Sequence, residues 1–126
     1  MTHRVIIALG SNVSRDYLAK CMPLLREYVD VDRQSDIITT EAIGMKSPPF
    51  ANQLLRCTTD LTLDELTRLT KDTEATLGRE HGRGVVTIDI DILQYDDTLL
   101  HLRDWEHEYV KQLYCQISTG AINLHG

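Results

Sequence analysis

Apolar residues recur along this chain with two periods, and their alternation sets out an order of elements. Val5-Ile6-Ile7-Ala8-Leu9 is an unbroken aliphatic run that stops at Gly10-Ser11-Asn12, which predicts a strand buried on both sides and then a turn. From about Arg15 to Val29 the apolar positions Leu18, Cys21, Met22, Leu25, Tyr28 and Val29 fall at helical spacing. Pro23 lies inside that span and predicts a bend or a later start. Val31 to Thr40, rich in Val, Ile and Thr, reads as one long second strand.

A loop follows from Glu41 to Pro49, with Gly44 able to turn and Pro48-Pro49 held extended. Asn52 to Leu61 alternates, with Leu55, Cys57, Thr59 and Leu61 on one side and Asn52, Leu54, Arg56 and Thr58 on the other. This predicts a half-buried third strand. Thr62-Leu63-Asp64-Glu65 is a capping box, and the helix it opens ends at Gly78, a residue suited to a left-handed cap. A glycine-rich loop, Arg79 to Gly84, leads to a fourth strand, Val85 to Tyr95. A last amphipathic helix runs from Asp104, its N-cap, to about Ile117, with Trp105 as an anchor.

The order β-α-β-β-α-β plus a trailing helix predicts an α+β, ferredoxin-like antiparallel sheet. Its helices lie on one face, the C-terminal helix is extra, and the other face is left to solvent or ligand. At 126 residues the chain makes one domain, 1–126. With 42% hydrophobic and 25% charged residues, it is globular rather than disordered. A net charge of -6 argues against a general grip on nucleic acid, and no apolar run suits a membrane span. Val5 to Leu9 is too short for a signal-peptide core. Three cysteines, odd in number and never in a CxxC pair, favour the reducing cytoplasm.

The sharpest chemical feature is Thr87-Ile88-Asp89-Ile90-Asp91-Ile92-Leu93. In a strand, Ile88, Ile90 and Ile92 share one face, and Thr87, Asp89 and Asp91 the other, with the two aspartate α-carbons ~7 Å apart. Such carboxylates either converge on a cation such as Mg²⁺ or repel one another on an acidic, solvated face. Arg79 and Arg83 are phosphate-binding candidates beside them, or else plain surface charges on a connector. No Walker loop, dinucleotide fingerprint, nucleophile elbow or zinc spacing occurs.

Four pieces in order resemble 6-hydroxymethyl-7,8-dihydropterin pyrophosphokinases, the folate-pathway enzymes. They are Gly10-Ser11-Asn12, Phe50-Ala51-Asn52, Glu74-Ala75-Thr76-Leu77-Gly78-Arg79 and Thr87 to Ile92. The resemblance spans roughly Val5 to Ile117. It implies transfer of the β,γ-pyrophosphate of ATP to the pterin hydroxymethyl group with release of AMP. It further implies two Mg²⁺ ions on Asp89 and Asp91, and a pterin held by Phe50, Asn52 and backbone near Gly44. Lys71, Glu74 and His107 would face the nucleotide, and Arg79 and His107 the phosphates, with Arg83 as a further cation. The chain departs from the family pattern in a shortened lid loop. Val86 stands at the lid arginine position, Thr40-Glu41 replaces Thr-Pro, Glu106-His107 replaces Pro-His, and Lys111-Gln112-Leu113 replaces an arginine-rich segment. The second stacking aromatic is either Tyr109 or Tyr114. A non-catalytic relative that keeps the pocket is the alternative reading.

Overall fold

The computed structural model describes residues 1–41, 48–79 and 85–118. Strand β1 (His3–Ser11) lies centrally because both its faces are apolar: Val5, Ile7 and Leu9 point one way, Ile6 and Ala8 the other. Helix α1 (Asp16–Leu25) carries Pro23 within it and ends two residues later, earlier than the apolar spacing predicts. Strands β2 (Asp30–Gln34) and β3 (Ile38–Thr40) replace the single long strand expected there. The interruption has a cause. Ser35 Oγ accepts the Leu54 amide at 2.8 Å, and the Asp36 amide donates to Gln116 Oε1 at 2.7 Å, so local side-chain bonds take over from the ladder.

Strand β4 (Phe50–Thr59) pairs antiparallel with β1, β2 and β3. It is not half-buried as predicted, since Leu54 and Leu55 are both inaccessible on opposite faces. Helix α2 (Leu63–Thr76) opens with the predicted capping box: Thr62 Oγ1 accepts the Glu65 amide at 3.2 Å, and Glu65 Oε1 accepts the Thr62 amide at 2.9 Å. Gly78, at φ 83°, turns the chain out of it.

Strand β5 (Asp89–Tyr95) starts four residues later than the apolar pattern predicts and pairs with β1 and, through Gln94 and Tyr95, with the short β6 (Thr98–Leu99). The last helix divides into α3 (Leu102–Trp105) and α4 (Glu108–Ser118). Asp104 therefore sits inside α3 rather than capping one long helix.

The sheet order β2-β4-β1-β5-β6, with β3 beside β4, is the ferredoxin-like order. The principal core lies between the sheet and α1 and α2, joining Val5, Ile7, Leu9, Leu18, Leu25, Leu55, Leu66 and Ile88. A second, smaller core lies on the opposite face, where Val110, Leu113 and Ile117 of α4 pack on Ile6, Leu54 and Leu93. That face is thus partly covered, and only its remainder is left for a ligand. No helix among the described residues is long and apolar enough to cross a membrane.

Cys21 and Cys57 are buried, whereas Cys115 is exposed on α4. Burial pushes both buried thiols up to about 12, so neither offers appreciable thiolate near neutrality. Iodoacetamide at pH 8 is expected to modify Cys115 alone in the native protein, and all three cysteines in urea. Peptide mapping checks this, and rapid native labelling of Cys21 or Cys57 would contradict the packing described.

Candidate active site

The uncovered part of the α4 face forms a cleft of about 340 Å³. Its floor is the exit of β1, Ala8 to Gly10. One wall is built from Thr40, Glu41, Phe50 and Asn52, and the other from Asp89, Asp91, Asp104, His107 and Tyr109. Strand alternation explains the carboxylates. Ile88, Ile90 and Ile92 take the principal core, so Asp89 and Asp91 must point the other way, in step with Leu93 under α4.

The break between α3 and α4 turns a third carboxylate toward the same space. Trp105 ties α3 to β5, donating its indole N–H to the Leu93 carbonyl at 2.9 Å and packing edge-on against Tyr114. The chain restarts at His107, whose carbonyl accepts the Val110 and Lys111 amides at 3.1 and 3.2 Å. Asp104, His107 and Tyr109 all line the cleft as a result. His107 Nε2 lies 4.0 Å from Asp104 Oδ1, and its ring meets Tyr109 edge-on with centroids 5.8 Å apart.

The accumulation of negative charge is visible in the titration of its members. Burial, then the neighbouring Asp89 and the more distant Asp104 and Glu74, push the Asp91 carboxyl up to about 8. Burial also raises the Tyr109 hydroxyl, with Asp104, Asp91 and Asp89 adding to it. The direction of the Asp91 shift is what carboxylates crowded in a partly buried place produce, and a bound cation would relieve it.

The opposite wall carries a carboxylate, Glu41, beside a fixed amide and an aromatic ring. Asn52 Nδ2 donates to Thr40 Oγ1 at 2.7 Å and to the Phe50 carbonyl at 3.1 Å, which holds the amide in one orientation. A methyl built on Gly10 would stand 3.5 Å from both Asn52 Oδ1 and Phe50 Cδ2, so glycine keeps open the space beside this pair. Asn12 fixes the approach to β5: its Oδ1 accepts the Val86 amide at 2.6 Å, and its own amide N–H donates to the Val86 carbonyl at 3.0 Å. This backbone tie places Val86 directly against the end of β1.

Arg79 reaches Asp89 from outside the cleft lining, with Nη1 3.1 Å from Oδ1. Glu74 and Lys71 do not line the cleft. Glu74 is buried in α2, where its Oε2 accepts the Ile90 amide at 2.7 Å and lies 3.5 Å from Arg79 Nη1. Lys71 Nζ stands 3.8 Å from Glu74 Oε1 on the exposed side of that helix. Gly44, His81 and Arg83 lie outside the described residues. Of the two aromatic candidates, Tyr109 lines the cleft, while Tyr114 packs on Trp105 away from it. Sequence reasoning missed Asp104, taken as a cap, although its i,i+3 spacing from His107 was a usable signal.

The chain has relatives of known name. The sequence profile described as 7,8-dihydro-6-hydroxymethylpterin-pyrophosphokinase matches residues 6–119. A "Folate synthesis bifunctional protein" of Arabidopsis thaliana is 34% identical over 121 residues, covering 84% of this chain and 25% of its own length. A second Arabidopsis thaliana protein, "Folate synthesis bifunctional protein, mitochondrial", is 32% identical, covering 96% of this chain and 24% of its own length. The 2-amino-4-hydroxy-6-hydroxymethyldihydropteridine pyrophosphokinase of Bacillus subtilis (strain 168) is 35% identical over 103 residues, 76% of this chain and 62% of its own length. The chain thus spans about a quarter of each plant protein and less than two thirds of the bacterial one. With strand order, cleft and profile in agreement over nearly its whole length, the chain belongs to the 7,8-dihydro-6-hydroxymethylpterin-pyrophosphokinase family.

Proposed function

We propose that this protein transfers pyrophosphate from ATP to the hydroxymethyl group of 6-hydroxymethyl-7,8-dihydropterin, releasing AMP, in folate biosynthesis. The observation that carries this reading is the meeting of Asp89, Asp91 and Asp104 with Phe50, Asn52 and Tyr109 in one cleft. A flat, hydrogen-bonding heterocycle suits the Phe50 and Asn52 side, and a polyphosphate with its cations suits the side of the three aspartates. In the reaction the hydroxymethyl oxygen forms a bond to the β-phosphorus of ATP and loses its proton. The bond from that phosphorus to the α,β-bridging oxygen breaks, and AMP leaves.

The residues divide this work between positioning and charge. Phe50 and Tyr109 offer faces for stacking. Asn52, with both amide hydrogens engaged inside the protein, presents its Oδ1 as a fixed acceptor for ring N–H groups. Asp89 and Asp91 would hold Mg²⁺, two ions in this reading, and the donor set fits the ion: hard carboxylate oxygens side by side on one strand face of a partly buried cleft. Among the described residues no group of three or more His, Cys, Asp or Glu closes around one point. Water and phosphate oxygens would supply the ion's other ligands. Bound Mg²⁺ supplies neutralisation of the polyphosphate and polarises the phosphorus under attack. Arg79 and His107 are the cationic or hydrogen-bonding groups on the phosphate side, joined by Arg83 from the adjoining loop. Lys71 and Glu74 belong to the nucleotide side through α2, Glu74 acting from beneath the strand. Gly44 belongs to the pterin loop. The odd cysteine count favours the cytoplasm, and the net charge of -6 argues against a general grip on nucleic acid.

One observation favours a binding role instead: Val86 at the lid arginine position, its backbone tied to Asn12. A single assay separates the two. AMP formation is measured with ATP, Mg²⁺ and 6-hydroxymethyl-7,8-dihydropterin, with each omitted in turn. AMP that requires all three establishes the enzyme. Pterin binding by calorimetry without any AMP establishes the binding role and overturns catalysis.

A further inference from the structure

Arg79 serves two carboxylates with one nitrogen. Its Nη1 stands 3.1 Å from Asp89 Oδ1 and 3.5 Å from Glu74 Oε2, and it also donates to the Ile88 carbonyl at 3.0 Å. The side chains of Glu74, Arg79 and Asp89 are 3%, 17% and 39% exposed, so they form a row from the buried underside of β5 out to the cleft. Glu74 cannot follow a moving partner, because the same Oε2 holds the Ile90 amide at 2.7 Å. The guanidinium itself keeps one buried donor, Nε, without a hydrogen-bond partner, while Nη1 alone stands between the two carboxylates.

A divalent cation and a guanidinium cannot share one Asp89 oxygen without strong repulsion at such separations. Exchange between the two carboxylates needs only a small shift of a group already in reach of both. Building on the reading of Asp89 and Asp91 as the metal-binding pair, we infer that Arg79 is the resident counter-cation of Asp89 in the metal-free protein. Glu74 is then the positioning residue that receives Arg79 when a divalent cation takes Asp89. The device keeps the empty site folded and partly neutralised, and it makes metal entry depend on a second carboxylate on another element.

The test is a Mn²⁺ titration of the nucleotide-free full chain, read by loss of the free-ion paramagnetic resonance signal at fixed pH and salt. Arg79→Gln is expected to bind Mn²⁺ about tenfold more tightly than wild type, because a competing cation is gone. Glu74→Gln keeps an acceptor for the Ile90 amide but no longer attracts the guanidinium, so it is expected to weaken Mn²⁺ binding. Most of that weakening should vanish when Glu74→Gln is added to Arg79→Gln, since there is then no guanidinium to receive. A purely structural Glu74 would weaken binding equally in both backgrounds, and that result overturns the inference. Unchanged or weaker binding by Arg79→Gln also overturns it, whether or not the Glu74 variants fold. No Mn²⁺ binding by wild type, or binding untouched by Asp91→Asn, overturns the metal reading of the aspartates and the inference with it.

Discussion

Asp91→Asn should lower pterin-dependent AMP formation about a thousandfold or more while leaving the protein at least as stable as wild type. The two halves of that expectation come from the same geometry. Asp91 sits beside Asp89 on one strand face in a partly desolvated cleft, and its carboxyl is pushed up to about 8 by burial first and by Asp89 second. A charge-stabilising group in phosphoryl transfer is worth about a thousandfold or more in rate. In the metal-free fold, however, the ionised carboxylate is a cost. Its folded pKa lies above the unfolded value of about 4, so between there and about 8 the native state binds more protons than the unfolded chain. Stability from this group is therefore complete at the acid end and is lost as pH rises through that window. Thermal melts in EDTA should show the wild-type midpoint falling from pH 5 to pH 8 and the Asn variant largely without that slope. A variant that unfolds, or one that keeps full activity, would contradict the role given to Asp91.

The paired aspartates of this cleft were legible in the sequence, because period-two alternation decides which side of a strand a residue occupies. Once Ile88, Ile90 and Ile92 are assigned to the core, Asp89 and Asp91 have no other face. The capping box at Thr62 and the left-handed exit at Gly78 are equally local, and both ends of α2 follow from residues within a few positions of them. What escaped the sequence depends on contacts between distant segments. The Ser35 hydroxyl splits the second strand only because Leu54 lies opposite. The last helix breaks before His107 while Trp105 bonds to Leu93, which carries Asp104 into the cleft. The β5 edge is closed by a glutamate from α2, and no periodicity marks a buried glutamate on an amphipathic stripe.

That glutamate supports the second expectation. Glu74→Ala should destabilise the fold by about 3–5 kcal/mol, the usual cost of removing one partner from a buried ion pair. Strand β6 pairs with Gln94 and Tyr95, so among the described residues no strand lies on the outer edge of β5 at Asp89 and Ile90, or beside Ile88 just before it. Side chains take its place: Arg79 Nη1 donates to the Ile88 carbonyl at 3.0 Å, and Glu74 Oε2 accepts the Ile90 amide at 2.7 Å. Alanine at 74 leaves that amide without its acceptor and takes from the guanidinium one of its two carboxylate partners, and an orphaned buried donor costs its full desolvation. It also loosens the strand between the two aspartates, so activity should fall with stability. Lys71→Ala is the control on the same helix, because its side chain is 64% exposed and its Nζ is 3.8 Å from Glu74, where an ion pair contributes at most about 1 kcal/mol. Urea denaturation at pH 7 compares the two. If Glu74→Ala costs no more than Lys71→Ala, the edge of β5 is held by something other than Glu74. A large loss confined to Glu74→Ala instead makes this carboxylate the brace on which the spacing of Asp89 and Asp91 depends.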